Sequence, residues 1–412
     1  MASRNILSTA FDTTGTGISG TGLTTTQGGT VSEMATPARH GGNTPGQSRF
    51  DMIVVGLGPA GAALAHRAHR RGWNVLGVDP REEWPNTYGI FSDELPDWLP
   101  DPPAAARSIP VIIGARVYTP GREYLILDNQ KLRNRFLTFP VLISRATTVA
   151  RHHVCADGHT MQARVVIDAR GVDPGRASAF QQAFGVVIDD DAPPVWMDLR
   201  QVPDTTEATF HYQIPVSGGV LHQETVLVRN SRLPWSELET ALRQRIGDFT
   251  AHRIVRSEAV LIPMDRNSRR PVIDGPVPFG ARAGFITPIS GFSVATSLSL
   301  VEPTLDALAA AAMSGGTPQK LPWHTFRYRT DRYLMRMGQR VLKDLDKYEF
   351  PDFMELVFRL DTSSQRRFLS PGDPVGTLRG MMRIFIHSDT RLRFRILCSL
   401  SGVGGTGRAR FS

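Results

Sequence analysis

Large apolar residues first gather at Phe50, where Phe50-Asp51-Met52-Ile53-Val54-Val55 predicts a short buried strand. Glycines at 56, 58 and 61 follow, and then an Ala-rich stretch, Ala62 to Arg71, predicts a helix that stops at Gly72. Asn74 to Asp79 is a second apolar run that ends on an acid, completing a β-α-β unit. Short alternating segments occupy Val111 to Val149, and Ala163 to Asp168 reads as another buried strand stopped by Gly171. Period-two alternation then dominates, with Ala208 to Ile214 and Val220 to Val228 flanking Ser217-Gly218-Gly219, a hairpin signature. Loops rich in Pro and Gly run from Ile262 to Gly291, a helical stretch covers Ala307 to Met313, and from Phe326 onward the pattern is helical and rich in Arg.

The pattern predicts an α/β protein with five segments. Residues 1–48, mostly Gly, Thr and Ser, have too little apolar surface to offset ordering entropy and read as a disordered extension. A Rossmann-type dinucleotide-binding part spans 49–180, an inserted, mainly antiparallel β part spans 181–262, the chain returns to the first part over 263–315, and a helical, Arg-rich part fills 316–412. Two cysteines, Cys155 and Cys398, exclude a disulfide framework and leave no cysteine-rich metal site. No apolar run reaches the 18 residues of a membrane span, and the default expectation is a cytoplasmic setting. A net charge of +8 permits attraction to anionic surfaces without choosing between phosphate polymer and lipid headgroup. No recognised nucleic-acid-binding fold accompanies the arginines, so a nucleic-acid partner is not expected.

Gly56-Leu57-Gly58-Pro59-Ala60-Gly61 carries the first chemistry. A lone G-x-G-x-x-G also marks ordinary turns, but here it joins a strand to a helix in a β-α-β unit. Gly56 permits the tight turn, Gly58 lets the backbone approach a pyrophosphate, and Gly61 allows the helix to pack on the strand. Asp79, 18 residues beyond Gly61, stands where a carboxylate accepts ribose hydroxyls. Two later segments favour FAD over NAD as the resident cofactor. Val166 to Gly171, with Asp168 and Gly171, resembles the strand-and-glycine segment that many FAD proteins place beside the cofactor. Ala283 to Gly291, with Gly284, Pro288 and Gly291, resembles their loop leading to the flavin ring, with Ala283-Gly284 where Gly-Asp is usual.

Beyond Asp79, Trp84-Pro85-Asn86-Thr87-Tyr88-Gly89-Ile90-Phe91-Ser92-Asp93-Glu94 resembles the Trp-Pro-Asn-Asn-Tyr-Gly-Val-Trp-x-Asp-Glu segment of the lycopene cyclase family. Gln223-Glu224-Thr225 is similar to its Phe-Leu-Glu-Glu-Thr motif, Ile262-Pro263-Met264 to its Ile-Pro-Met-Gly, and Gly284 to Gly291 to its Gly-x-x-x-x-Pro-x-x-Gly. Phe91 replaces a Trp, Leu221-His222-Gln223 replaces Phe-Leu-Glu, and Asp265 replaces a Gly, which leaves open a divergent branch or a changed substrate.

The resemblance implies an isomerase that closes the ψ end group of lycopene, or a related carotenoid, to a β-ring without net oxidation. It implies FAD, kept reduced by NAD(P)H, as an anion near the carbocation. Glu224 is the family-matched acid or base, and period-two alternation places it on one strand face with His222 and Val226. Against an apolar substrate its charged form would be disfavoured and its pKa raised. Asp93 and Glu94 form a second acidic pair implied near the site, with a turn or helix cap as their plainer reading. Tyr88 and Phe91 are candidates for the polyene tunnel or for plain core, and His222 is a possible proton partner of Glu224. A carotenoid dissolved in the bilayer implies peripheral membrane contact. Leu378, Met381, Met382, Phe385 and Ile386 fall on one face of a basic helix suited either to that interface or to ordinary packing. The competing enzyme reading is an FAD-dependent monooxygenase or prenyl reductase acting on a hydrophobic isoprenoid.

Overall fold

A computed structural model describes residues 49–401 apart from 109, 174, 176, 203–204, 250–252, 265–274, 314–319 and 370–371. The expectation for residues 1–48 and the Asp265 replacement therefore lie outside the described residues.

Strand Phe50–Val55 lies between Val75–Asp79 and His159–Asp168, parallel to both, and Val141–Ile143 extends the sheet beyond Val75–Asp79. Val277–Pro278 pairs with the C-terminal end of His159–Asp168, whose N-terminal half turns back as a hairpin with His153–Ala156. The strand order reverses on either side of Phe50–Val55, the arrangement that opens a crevice beyond the strand ends. Alternation fixes which side chains go where. Met52 and Val54 join the cluster under helix Pro59–Arg70, whereas Ile53 and Val55 pack on the other face with Val154 and Val166. Helix Val301–Met313 covers the first helix and is tied to it by Glu302, which pairs with Arg67 and Arg71.

A second sheet, seven-stranded among the described residues, runs Ile254–Pro263, Phe180–Ile188, Gly219–Arg229, Phe210–Val216, Val195–Asp198, Ile112–Ile113, Val117–Tyr118. The predicted hairpin is present, with Val216 opposite Gly219 across Ser217-Gly218. Residues 112–118 belong to this sheet rather than to the dinucleotide-binding part, because Ile112 pairs with Met197 over a long sequence separation that local pattern does not register. Helix Trp235–Ile246 packs on one face, where Leu242 meets Val186 and Ile188. The five C-terminal helices, from Phe326–Asp344 to Thr390–Ser401, pack beside the sheet through Met335, Phe350 and Phe353.

The joint between first strand and first helix tolerates no added atom. A Cβ at Gly61 would lie 2.0 Å from the Gly56 carbonyl oxygen and 3.0 Å from the Ala169 Cβ. Gly61→Ala is expected to lower unfolding stability by ~1–3 kcal/mol, the usual cost of overpacking, read from the urea midpoint at unchanged slope.

Candidate active site

A cleft of about 440 Å³ opens at the reversal of strand order and is lined by Gly56, Gly58, Pro59, Ala60, Gly61 and Asp79. Gly56 holds the turn at φ +96°, where a side chain would also strike the Ala169 backbone at 2.6 Å. Apart from its immediate chain neighbours, no described residue lies within 4 Å of where a Cβ on Gly58 would be, so the backbone there is open to a ligand. No side chain caps the helix that starts at Pro59, and its first turn keeps N–H donors for an anion. Asp79 accepts the Leu57 N–H at 2.6 Å and the Arg81 N–H at 2.8 Å. Each carboxylate oxygen retains acceptor capacity toward ribose hydroxyls. Ser293, Val294 and Ser297 close the opposite wall from the start of helix Val294–Ser299. An open glycine, an uncapped helix start and an acid at the second strand end fit a dinucleotide.

The other predicted cofactor residues divide. Gly171 lines the cleft, whereas Asp168 stands behind it, bonded to Arg170 at 2.9 Å and paired with Arg282 at 3.1 Å. Burial opposes its charge, but those two guanidinium groups hold its carboxyl below the ordinary range. Its direct contact is thus with Arg170, which does line the cleft. Gly284 and Pro288 shape the return loop instead of lining the cleft. Gly284 takes a left-handed φ of +83° after the turn Gly280–Ala283, and the Pro288 carbonyl accepts a bond from Gln339 at 2.8 Å. Ala281 from that turn reaches the cleft, a contact hidden from a reading based on glycines.

A cavity of about 550 Å³ adjoins the cleft and shares Tyr88, Gly171, Ala281 and Val294 with it. Gly291 lines this cavity. Tyr88 is thereby placed between cofactor cleft and cavity, and burial pushes its hydroxyl up to about 12. The far wall is one face of the second sheet, carrying Tyr212, Ile214, Leu221, Gln223, Glu258 and Val260. Glu258 was missed by motif reading. Its signal was an acid just ahead of the apolar run Ala259 to Ile262.

Three candidates stand outside the cavity wall. Phe91 lies behind Tyr124 and Trp196, edge-on to both at 4.9 and 5.7 Å between ring centres. Asp93 and Glu94 converge on the buried Arg122, at 2.7 and 2.8 Å, in a 3-10 turn. Arg122 in turn sits over the Phe91 ring at 3.9 Å. This cation-centred knot supports the cavity wall from behind.

Glu224 calls for a correction. Alternation does put His222 and Glu224 on one face, but it is the face turned toward helix Trp235–Ile246, while Leu221 and Gln223 line the cavity. Glu224 is wholly buried, accepts from Arg245 at 2.8 and 3.1 Å, and lies 3.6 Å from His211. Burial alone would raise its pKa as expected for an apolar setting, but the His211 contact and the Arg245 guanidinium reverse this and bring it down to about 2. His222 contacts His211 at 3.3 Å and Asp190 at 3.4 Å on the same far face.

Because the folded-state pKa of Glu224 lies below its unfolded value, the ion pair stabilises the protein above pH ~4.5, and that contribution fades as pH falls toward 2. Glu224→Gln leaves Arg245 buried without this partner and is expected to cost on the order of 3 kcal/mol at pH 7. Denaturant titrations at pH 7 and below pH 4 should show the difference between variant and wild type shrinking with acidification.

The family model described as lycopene cyclase protein matches residues 51–393. A Deinococcus radiodurans protein described as an uncharacterized carotenoid cyclase is 31% identical over 399 residues, covering 87% of this chain and 96% of the relative. Lycopene beta cyclase of Synechococcus elongatus is 27% identical over 396 residues, covering 84% and 96%. Among solved structures, a geranylgeranyl bacteriochlorophyll reductase-like protein of Thermoplasma acidophilum superposes with a TM-score of 0.66 at 16% identity, covering 86% of this chain and all of that one. Halogenase PltM in complex with FAD superposes with a TM-score of 0.57 at 13% identity, covering 85% and 86%. The shared fold is that of FAD-dependent monooxygenases and reductases, and with the match spanning both the dinucleotide cleft and the sheet-walled cavity, this chain belongs to the lycopene cyclase family.

Proposed function

We propose that this protein is a lycopene cyclase, closing the ψ end group of lycopene or a related carotenoid to a β-ring without net electron transfer. The carrying observation is a cavity, walled by Ile214, Leu221 and Val260 beside Gln223 and Glu258, that shares Tyr88, Gly171 and Val294 with a cleft shaped for a dinucleotide. The proposed cofactor is FAD, supported by that cleft and by the FAD complex of the PltM structure. The turn Gly56–Gly61 would hold the pyrophosphate, and Asp79 the ribose. When bound and reduced by NAD(P)H, the flavin supplies negative charge that stabilises a cation nearby. The chain supplies the rest. Leu221, Ile214 and Val260 exclude water from the reacting end, Tyr88 separates it from the cleft, and Glu224 braces the sheet from its far side.

Gly58→Ala tests the cofactor assignment, because the added methyl meets no described residue within 4 Å apart from its immediate chain neighbours. Stability without cofactor is expected to change by under ~0.5 kcal/mol, while FAD affinity, followed by flavin fluorescence quenching, drops at least tenfold.

The substrate's route is proposed to run through a peripheral membrane contact. Helices Pro374–His387 and Thr390–Ser401 expose Leu378, Met382, Phe394 and Leu397, each at about half or more of its surface. Leu378, Met381, Met382, Phe385 and Leu397 line an apolar groove of about 310 Å³, with Arg379, Arg383 and Arg393 exposed on the same helices. No helix among the described residues is long and apolar enough to cross a membrane. Met382→Asp is expected to leave the melting temperature unchanged and to lower binding to phosphatidylglycerol liposomes at least tenfold in flotation assays.

The reaction itself is tested anaerobically with lycopene in liposomes, FAD and NADPH, followed by chromatography and mass spectrometry. The cyclase reading expects a ring-bearing product of unchanged mass and no stoichiometric consumption of NADPH. Products carrying added oxygen or hydrogen would replace it with the monooxygenase or reductase reading.

A further inference from the structure

Ring closure adds a proton to one carbon and removes one from another, so the cavity needs a group to handle protons. Glu224, Asp93 and Glu94 each stand outside the cavity wall, bound to Arg245 or Arg122. Glu258 is different. It lines the cavity from strand Ile254–Pro263, and its side chain is 1% exposed.

The sheet register places Glu258 in a telling row. Gly185 on the strand Phe180–Ile188 is opposite Gln223 on one side and Glu258 on the other, and Gln223 is opposite Tyr212. Tyr212, Gln223 and Glu258 all line the cavity, so the row faces it. Gln223 and Glu258 are two strand spacings apart, roughly 10 Å between backbones. A Cβ at Gly185 would stand 2.8 Å from the Gln223 Cβ and 3.0 Å from its Cγ, so the glutamine side chain overlies the glycine. Thr87 Oγ1 donates to Glu258 at 2.6 Å, the Thr87 N–H approaches its other oxygen at 3.3 Å, and Arg256 forms an ion pair with it. Thr87 directly precedes Tyr88, the residue at the junction of cavity and cleft. The carboxylate is therefore fixed to the same short segment that shapes the reacting end of the cavity.

We propose that Glu258 carries the proton chemistry of ring closure, with its charged form facing the cationic end group. This rests on the cyclase reading. In its acid form Glu258 gives a proton to the terminal alkene: a C–H bond forms, the alkene electron pair is used, and a tertiary cation remains opposite the carboxylate. An internal double bond attacks that cation to form the ring C–C bond. A ring C–H bond then breaks, its electron pair becomes the ring C=C, and the proton returns to the Glu258 carboxylate. Proton gain and loss balance, and no oxidant or reductant is consumed.

Glu258→Gln preserves size and an acceptor oxygen for one of the two Thr87 donors but removes the charge. Ring formation is expected to fall ~100-fold or more, with KM for lycopene and melting temperature near wild type, and Glu258→Asp to recover part of the rate. A binding measurement that needs no turnover uses geranylgeranyl dimethylamine, protonated at pH 7, against the uncharged hydrocarbon of equal length. Wild type is expected to bind the amine at least tenfold more tightly than Glu258→Gln, and the hydrocarbon equally. Undiminished ring formation in a folded Glu258→Gln, or equal amine affinity, overturns the assignment. A wild type that discriminates the amine through Glu258 yet closes no ring would remove the cyclase reading while leaving the cation site in place.

Discussion

Alternation along the strand Gly219–Arg229 divides the second half of the molecule into a wet-chemistry side and a structural side. Leu221 and Gln223 face the cavity; His222 and Glu224, one residue away in each case, face the opposite direction. A one-residue slip in register would exchange these faces and turn the Glu224 carboxylate toward the cavity, away from Arg245 on the helix. The buried contacts of Glu224 with Arg245 and His211 oppose such a slip, since it would part the carboxylate from both. The ion pair that fixes the sheet on this side thus lies behind the cavity wall.

The first half of the molecule answers to a different constraint, the close approach of helix Pro59–Arg70 to its strand. Gly56 and Gly61 bring the helix start up to the strand ends, where the chain reverses order. Arg170 and Arg282, gathered by Asp168, fix the neighbouring strand end and the Gly280–Ala283 turn in one place. Tyr88 and Val294 line both spaces, so they stand between a bound dinucleotide and a substrate. The C-terminal helices support the same junction from outside, with Arg332 donating to the Ile286 carbonyl and Gln339 to that of Pro288.

How far this was legible in the sequence depends on the range of the interaction. The β-α-β unit and its glycine turn are local, and periodicity plus three glycines located them: the second strand ends at Asp79 as expected, while the helix begins at Pro59, three residues before the expected Ala62. The hairpin around Ser217-Gly218 was equally plain, as was the helical C-terminal part. Which face of the hairpin meets the cavity was not. That depends on Arg245, a helix away in sequence, and on pairing with Phe180–Ile188. Motif matching therefore drew attention to Glu224, the acid that remained, while the cavity side holds Gln223. Asp93 and Glu94 meet a similar limit: their partner Arg122 lies on a separate segment, and only the fold brings both carboxylates onto that one buried guanidinium.

Glu258 shows the converse, a group whose meaning arises only from register. In sequence it is one acid among 39 acidic residues, outside the Ile262-Pro263-Met264 match that follows it. In the sheet it shares a row with the position that the family resemblance marks for an acid, separated from it by Gly185 alone. A side chain at 185 would force Gln223 aside and screen Glu258 from it, so the glycine, the amide and the acid form one unit. Seen this way, the replacement of an acid by Gln223 does not empty the cavity of charge. It leaves a single carboxylate rather than two facing across a glycine, and avoids the like-charge repulsion that two would have to relieve by binding a proton.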